Sequence, residues 1–216
     1  LGITYIRQSS LNYQDKWTYR FLFQSQFFHK LLQSSPIKLQ NNQITSVIGG
    51  LKTGANAFYF PSQKIQAKFK IPKKFLRTGI KSGRNMPPGF CVKTSPNPFL
   101  NIPPNTDLSR YPNLAAFITY CEKEKKYHLR PSVKWNPWYA IPTKKQEIPD
   151  IIFLRHIDQN FQAKLNLSKC VTADGIRGIK VHNKNHQKFY WGVLNSRFFY
   201  WQAHVQGRWE GQGDLQ

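Results

Sequence analysis

The chain has 216 residues, enough for one domain with a core of its own, and its 40% hydrophobic and 15% aromatic content excludes a disordered tail. Its 32 Lys and Arg against 10 Asp and Glu leave a formal net charge of +22, an imbalance that calls for a polyanionic partner, nucleic acid ahead of an acidic protein or a membrane surface. Three isolated cysteines (Cys91, Cys121, Cys170) form neither a CxxC pair nor an even disulfide framework. With no signal peptide and no apolar run of spanning length, they indicate a reduced, cytoplasmic chain with no membrane partner.

In chain order, residues Asn12 to Gln33 are predicted as an amphipathic helix, with Trp17, Phe21, Gln24, Phe28 and Leu31 at helical spacing and Ser34-Ser35-Pro36 as its stop. The domain boundary is placed there. Residues 1–36 are read as a connector helix from an upstream domain, and residues 37–216 as the domain proper. Two strand-like runs follow, Gln43 to Ile48 and Ala57 to Phe60. Between them lies the glycine-punctuated stretch Gly50-Leu51-Lys52-Thr53-Gly54-Ala55-Asn56. The expected form is a hairpin whose tip carries Lys52, Thr53 and Asn56, groups suited to phosphate oxygens or base edges. A water-facing hairpin tip is the plainer alternative.

Residues 61–104 are rich in Pro, Gly, Asn and Lys and are expected to form long basic loops joined by short strands. No acidic residue occurs between Asp15 and Asp107, whereas Arg77, Lys81, Arg84 and Lys93 all do. A merely solvated face interleaves both signs. A helix is predicted from Tyr111-Pro112-Asn113 to about Lys126, with Leu114, Phe117, Ile118 and Cys121 as its buried stripe. The run Arg130-Pro131, Lys134-Trp135, Trp138-Tyr139 then mixes cations with aromatics. Strands are predicted at Asp150 to Arg155, Phe161 to Leu167, Cys170 to Thr172 and Ile176 to Val181, with a closing helix from about Gln187 to Gln206 capped by Gly207. The order describes an α+β domain with a mixed or antiparallel sheet, a few helices and long basic loops, preceded by the N-terminal connector helix.

The chemistry-bearing motifs are few. The Gly50–Gly54 string has too few residues between its glycines for a nucleoside triphosphate loop and no matching helix after it. His182 and His186 have a spacing compatible with zinc but no thiol or carboxylate partners, so they read as turn residues. Asp107 with Glu124-Lys125-Lys126 loosely follows the carboxylate pattern of metal-dependent endonucleases, but surface salt bridges at a lysine-rich helix end suffice to account for it. The positive signal is the basic and aromatic interleaving, with Lys52, Thr53, Asn56, Arg77, Lys81, Arg84, Lys93, Arg130, Lys134 and Trp135 as candidate DNA-binding residues. The alternatives kept open are a metal-dependent endonuclease domain and an RNA-binding module.

Several of these stretches, taken in order, resemble the target recognition domain of gamma-class adenine-specific DNA methyltransferases and of bifunctional type II restriction-modification enzymes. The resemblance rests on Gly50-Leu-Lys-Thr-Gly-Ala-Asn56 with Phe58-Tyr59-Phe60, on Tyr111-Pro-Asn-Leu with its helix, and on Arg130-Pro131…Trp138-Tyr139. Pro149-Asp-Ile-Ile-Phe-Leu, Leu194-Asn195-Ser196 and Gly207-Arg208-Trp209-Glu210-Gly211-Gln212-Gly213 extend it over about residues 37–216, with Gln212 interrupting the usual glycine-rich turn. The resemblance implies sequence-specific recognition of double-stranded DNA by a non-catalytic domain. S-adenosylmethionine and the Asn-Pro-Pro-aromatic motif that holds a flipped adenine would belong to an upstream catalytic domain of the same polypeptide. Asn136-Pro137-Trp138 and Asn101-Ile102-Pro103-Pro104 are only superficial echoes of that motif. The start at Leu1-Gly2 and the stop at Asp-Leu-Gln are read in the same sense, as an excised piece of a longer protein.

Overall fold

The computed structural model describes residues 45–142, 147–157, 160–206, 209–210 and 214–215. The predicted helix at Asn12 to Gln33, the boundary at residue 36 and the Gly207 cap lie outside these residues.

Strand β7 (Ile176–Val181) anchors the larger sheet because it is buried on both faces, Ile179 and Val181 in one core cluster and Ile176 in another, with Arg177 and Lys180 half-exposed. It is flanked by β1 (Thr45–Gly49) and β4 (Ile151–Leu154), and β5 (Lys164–Leu165) follows β4 at the edge. All three pairings are antiparallel. A second sheet has β2 (Leu76–Ile80) between β3 (Asn97–Leu100), antiparallel, and β6 (Val171–Thr172), parallel. The protein is thus an α+β structure with antiparallel and mixed sheets, as its pattern indicates.

The sheets are joined by the chain itself. Leu51, just beyond β1, bridges Ala173, just beyond β6, and the Ala173 N–H donates to the Ile80 carbonyl at 3.0 Å. One core lies around α3 (Pro112–Lys125), where Leu114, Phe117, Ile118 and Cys121 are buried at the predicted i, i+3, i+4, i+7 positions. Phe58, Tyr59, Phe99 and Trp138 complete it, with Phe58 stacked on Phe117 at 5.2 Å and the Tyr59 hydroxyl donating to the Trp138 carbonyl at 2.7 Å. A second core packs α4 (Gln187–Leu194) on the larger sheet through Tyr190, Leu194, Ile151, Ile179 and Val181.

Three expectations are corrected. Residues Ala57 to Phe60 are not a strand. They belong to a single helical turn, α1 (Asn56–Tyr59), and its immediate exit, so the predicted hairpin does not exist and β1 pairs with β7. The aromatic run has strand composition, but Phe58, Tyr59 and Phe60 are all buried, Phe58 against Phe117 and the other two against Phe99, and three consecutive buried side chains do not fit a one-sided strand. Residues 61–104 contain a helix as well as strands: α2 (Gln63–Lys68), opened by the Ser62 hydroxyl accepting the Ile65 N–H at 3.4 Å. The closing helix is two helices, α4 and α5 (Arg197–Gln206). Asn195 breaks them apart by bonding both backbone groups of Ala163 at 3.0 Å, and the Ser196 hydroxyl caps α5 by accepting the Phe199 N–H at 3.1 Å.

Candidate nucleic-acid interface

The stretch Gly50 to Asn56 is held from two sides. On one side the Gly50 N–H donates to Ile176 at 2.9 Å, the Leu51 N–H to Thr172 at 2.7 Å, and Leu51 accepts from the Asp174 N–H at 3.0 Å. A Cβ on Gly50 would fall 2.0 Å from the Ala173 carbonyl oxygen, so only glycine permits this approach. On the other side Gly54 has φ +67° and lies against Ser132, whose backbone would be 2.6 Å from an added Cβ. Arg130 reinforces that contact by donating from Nη1 to the Gly54 carbonyl at 3.4 Å, with its guanidinium 4.4 Å from the centre of the Tyr127 ring.

Within the loop the three sequence-named residues separate by role. Thr53 is buried, at 1% exposure, and its hydroxyl accepts the Ala55 N–H while donating to Asn56 Oδ1. It serves the loop's shape. Lys52 and Asn56 are exposed. Because the hydroxyl proton of Thr53 is spent on Oδ1, the Asn56 amide is turned so that its two N–H donors remain available.

Lys52 and Asn56 share an open depression of about 880 Å3 with Arg130, Lys134, Trp135 and Asp174. Two segments that are some eighty residues apart in sequence, both named as candidates, thus form one concavity. Trp135 is half-buried, packs on the α3 core, and its Nε1 is buried without a hydrogen-bond partner. Its ring belongs more to the wall than to the rim.

Lys81 and Arg84 approach the same end of the molecule by a different route. The strand registers pair Gly49 with Arg177, Leu154 with Ile176 and Ile80 with Thr172. The ends of β1, β2, β4 and β6 and the start of β7 therefore lie together, and Lys81 follows β2 directly. Arg84 belongs to the turn at Gly83–Asn85, where Gly83 abuts Leu154. Two cations that the sequence reading missed, Arg155 and Arg177, lie at this end as well, Arg155 through its N–H to the Gly175 carbonyl at 2.9 Å. Arg77 and Lys93 do not join them. Arg77 is near the start of β2, whose Thr78 hydroxyl donates to the Ser168 carbonyl at 2.9 Å, and Lys93 follows Val92, which accepts from the Ser168 N–H.

The family model of the C-terminal domain of the type II methyltransferase M.Eco57I matches residues 14–216. The chain belongs to this family. A comparison with curated proteins finds no match.

In this methyltransferase-associated C-terminal domain, Asp107 and Glu122 serve local structure. Asp107 accepts from the N–H and hydroxyl of Ser109 and pairs with Arg110 at 3.1 Å, and Glu122 accepts from Trp138 Nε1 at 2.8 Å. His182 and His186 are exposed, and among the described residues no group of three His, Cys, Asp or Glu could hold a metal ion. No helix among those residues is long and apolar enough to cross a membrane. Cys121 and Cys170 are buried, and burial raises both thiol pKa values, that of Cys121 to about 12. Lys164 is buried too; its ammonium donates to the Gly89 carbonyl and to Gln162, and desolvation lowers its pKa.

Proposed function

We propose that this chain is the sequence-reading domain of a DNA methyltransferase, the target recognition domain of an adenine-specific, gamma-class enzyme or of a bifunctional restriction-modification protein. The observation that carries this reading is the convergence of cations from separate segments. Lys52, Lys81, Arg84, Arg155 and Arg177 gather at one end of two sheets, and Arg130 and Lys134 stand across a depression beside them. Such a surface neutralises phosphates, and its concavity gives side chains access to a groove.

Methyl transfer is assigned to an upstream catalytic domain of the same polypeptide, which would bind S-adenosylmethionine. The glycine loop here does not fit that cofactor, because backbone atoms of Ala173 and Ser132 already fill the space its glycines open. Residues 1–36 are proposed as the connector to that domain.

The test is binding of a labelled duplex by fluorescence anisotropy across a salt series. About six phosphate contacts imply a loss of roughly a thousand-fold in affinity between about 50 mM and about 200 mM salt. Lys52→Ala and Arg84→Ala should each weaken binding evenly across sequences and lower the salt slope by about one. Absent or salt-insensitive binding would sink the proposal. Preference for single-stranded RNA over duplex would point to an RNA-binding module instead, and magnesium-dependent cutting abolished by Glu124→Gln to a nuclease.

A further inference from the structure

The depression is not uniformly basic. Among the described residues lining it, Asp174 is the one carboxylate, and it stands in the same concavity as Lys52, Arg130 and Lys134. It sits on the turn between β6 and β7, held by its N–H to the Leu51 carbonyl, with its side chain 44% exposed. Its ion pair with Arg177 is at the limit of contact, 4.0 Å, so that pairing gives little reason for a carboxylate here. A negative charge in a phosphate-binding surface opposes binding to every duplex alike. It is useful only where it meets a base donor, and it penalises a register in which a phosphate or a base acceptor faces it.

Asn56 is the second side chain in the depression equipped to read a base edge, where a phosphate contact alone would need no fixed amide. It is neutral, short, exposed and oriented by the buried Thr53 hydroxyl, with its N–H donors free. A fixed amide discriminates between acceptor and donor edges, which a lysine on a flexible stem does not.

We propose that Asn56 and Asp174 are the specificity-determining residues of this depression, Asn56 donating to an acceptor on a base edge and Asp174 accepting from an exocyclic amine. Thr53 is a positioning residue that acts through Asn56. Lys52, Arg130 and Lys134 supply sequence-independent affinity around them. The inference rests on the DNA-reading function proposed above.

The test is selection of bound duplexes from a randomised library by the wild-type chain and its variants, with affinity measured alongside. Asp174→Asn should bind non-preferred duplexes roughly five-fold more tightly, by removal of one repulsive charge, and gain less on the preferred duplex, so that its sequence preference relaxes. Asn56→Ala should lose about tenfold of enrichment at one base-pair position with an unchanged salt slope. Thr53→Val should relax the same position as Asn56→Ala. Should Thr53→Val fail to fold, Asn56→Asp at the exposed position replaces it and should invert the preferred base there. Tighter binding by Asp174→Asn with an unaltered preference, or an unaltered preference in Asn56→Ala, overturns the inference and leaves the DNA-reading function standing. Salt-dependent binding by the wild-type chain without enrichment of any sequence overturns both the inference and the sequence-reading function. No duplex binding at all overturns both.

Discussion

Gly54 and Trp135 show how much of the site is decided by single groups. At Gly54 the backbone is left-handed and Ser132 occupies the space beside it. Gly54→Ala should therefore cost about 1–3 kcal/mol from the conformation alone, with the contact to Ser132 adding to it, read as a lower urea midpoint. Duplex affinity should fall further than stability explains, because the 130–135 segment loses its seat. Trp135 has the opposite character. Its indole N–H is buried without a partner, which costs about 1–3 kcal/mol, so Trp135→Phe trades lost volume for relief of that penalty. Stability should change by less than about 1 kcal/mol in thermal denaturation. A large loss would mean that the N–H has an acceptor. The freedom of Gly54 to take positive φ and a close approach is legible in the sequence, but its neighbour Ser132 is not, and the orphaned N–H of Trp135 appears only once the core is assembled.

Among the elements, α3 was legible because its apolar residues keep helical spacing and Pro112 suits its first turn. β7 was legible as a short β-branched run, Ile176 to Val181. The turn after Gly54 was misread because aromatic residues look like strand formers wherever they occur, while tertiary partners on several sides decided the local form. The break between α4 and α5 was hidden for a related reason: Asn195 reads as a tolerable helix residue, yet its amide is committed to Ala163 in the neighbouring segment. Asn195→Ala should leave the Ala163 N–H without its acceptor, costing about 1–3 kcal/mol of unfolding free energy measured in urea. A change near zero would mean that water or a shifted neighbour replaces the amide.

Across the whole molecule, the candidate surface was only half legible. The acid-free stretch holds Lys52, Lys81 and Arg84, but Arg130, Lys134, Arg155 and Arg177 lie beyond it, and which cations meet depends on strand register. That is why Arg155 and Arg177 went unnamed and why Arg77 and Lys93 fall elsewhere. The same buried cores set a pH limit. Burial raises the Cys121 thiol from its ordinary 9.0 to about 12 and raises the Tyr59 hydroxyl above its ordinary 10.0, so the fold favours the protonated form of each. Below about pH 9 both folded and unfolded chains are protonated and this contribution to stability is intact. As pH rises further the unfolded chain ionises first and stability falls, continuing to about 12 for Cys121. Urea midpoints at about pH 8 and about pH 10.5 should show the drop, and Cys121→Ala should lessen it. The bridge from Leu51 to Ala173 has an evolutionary consequence. The same few residues that present Lys52 and Asn56 also rivet one sheet to the other, so lengthening or shortening that stretch would uncouple the sheets. Under the proposed DNA-reading function, retargeting to new sequences is therefore confined to exchanging exposed side chains on an unchanged backbone, and a library meant to redirect it should vary residue identity at Lys52, Asn56 and Asp174 while holding loop length constant.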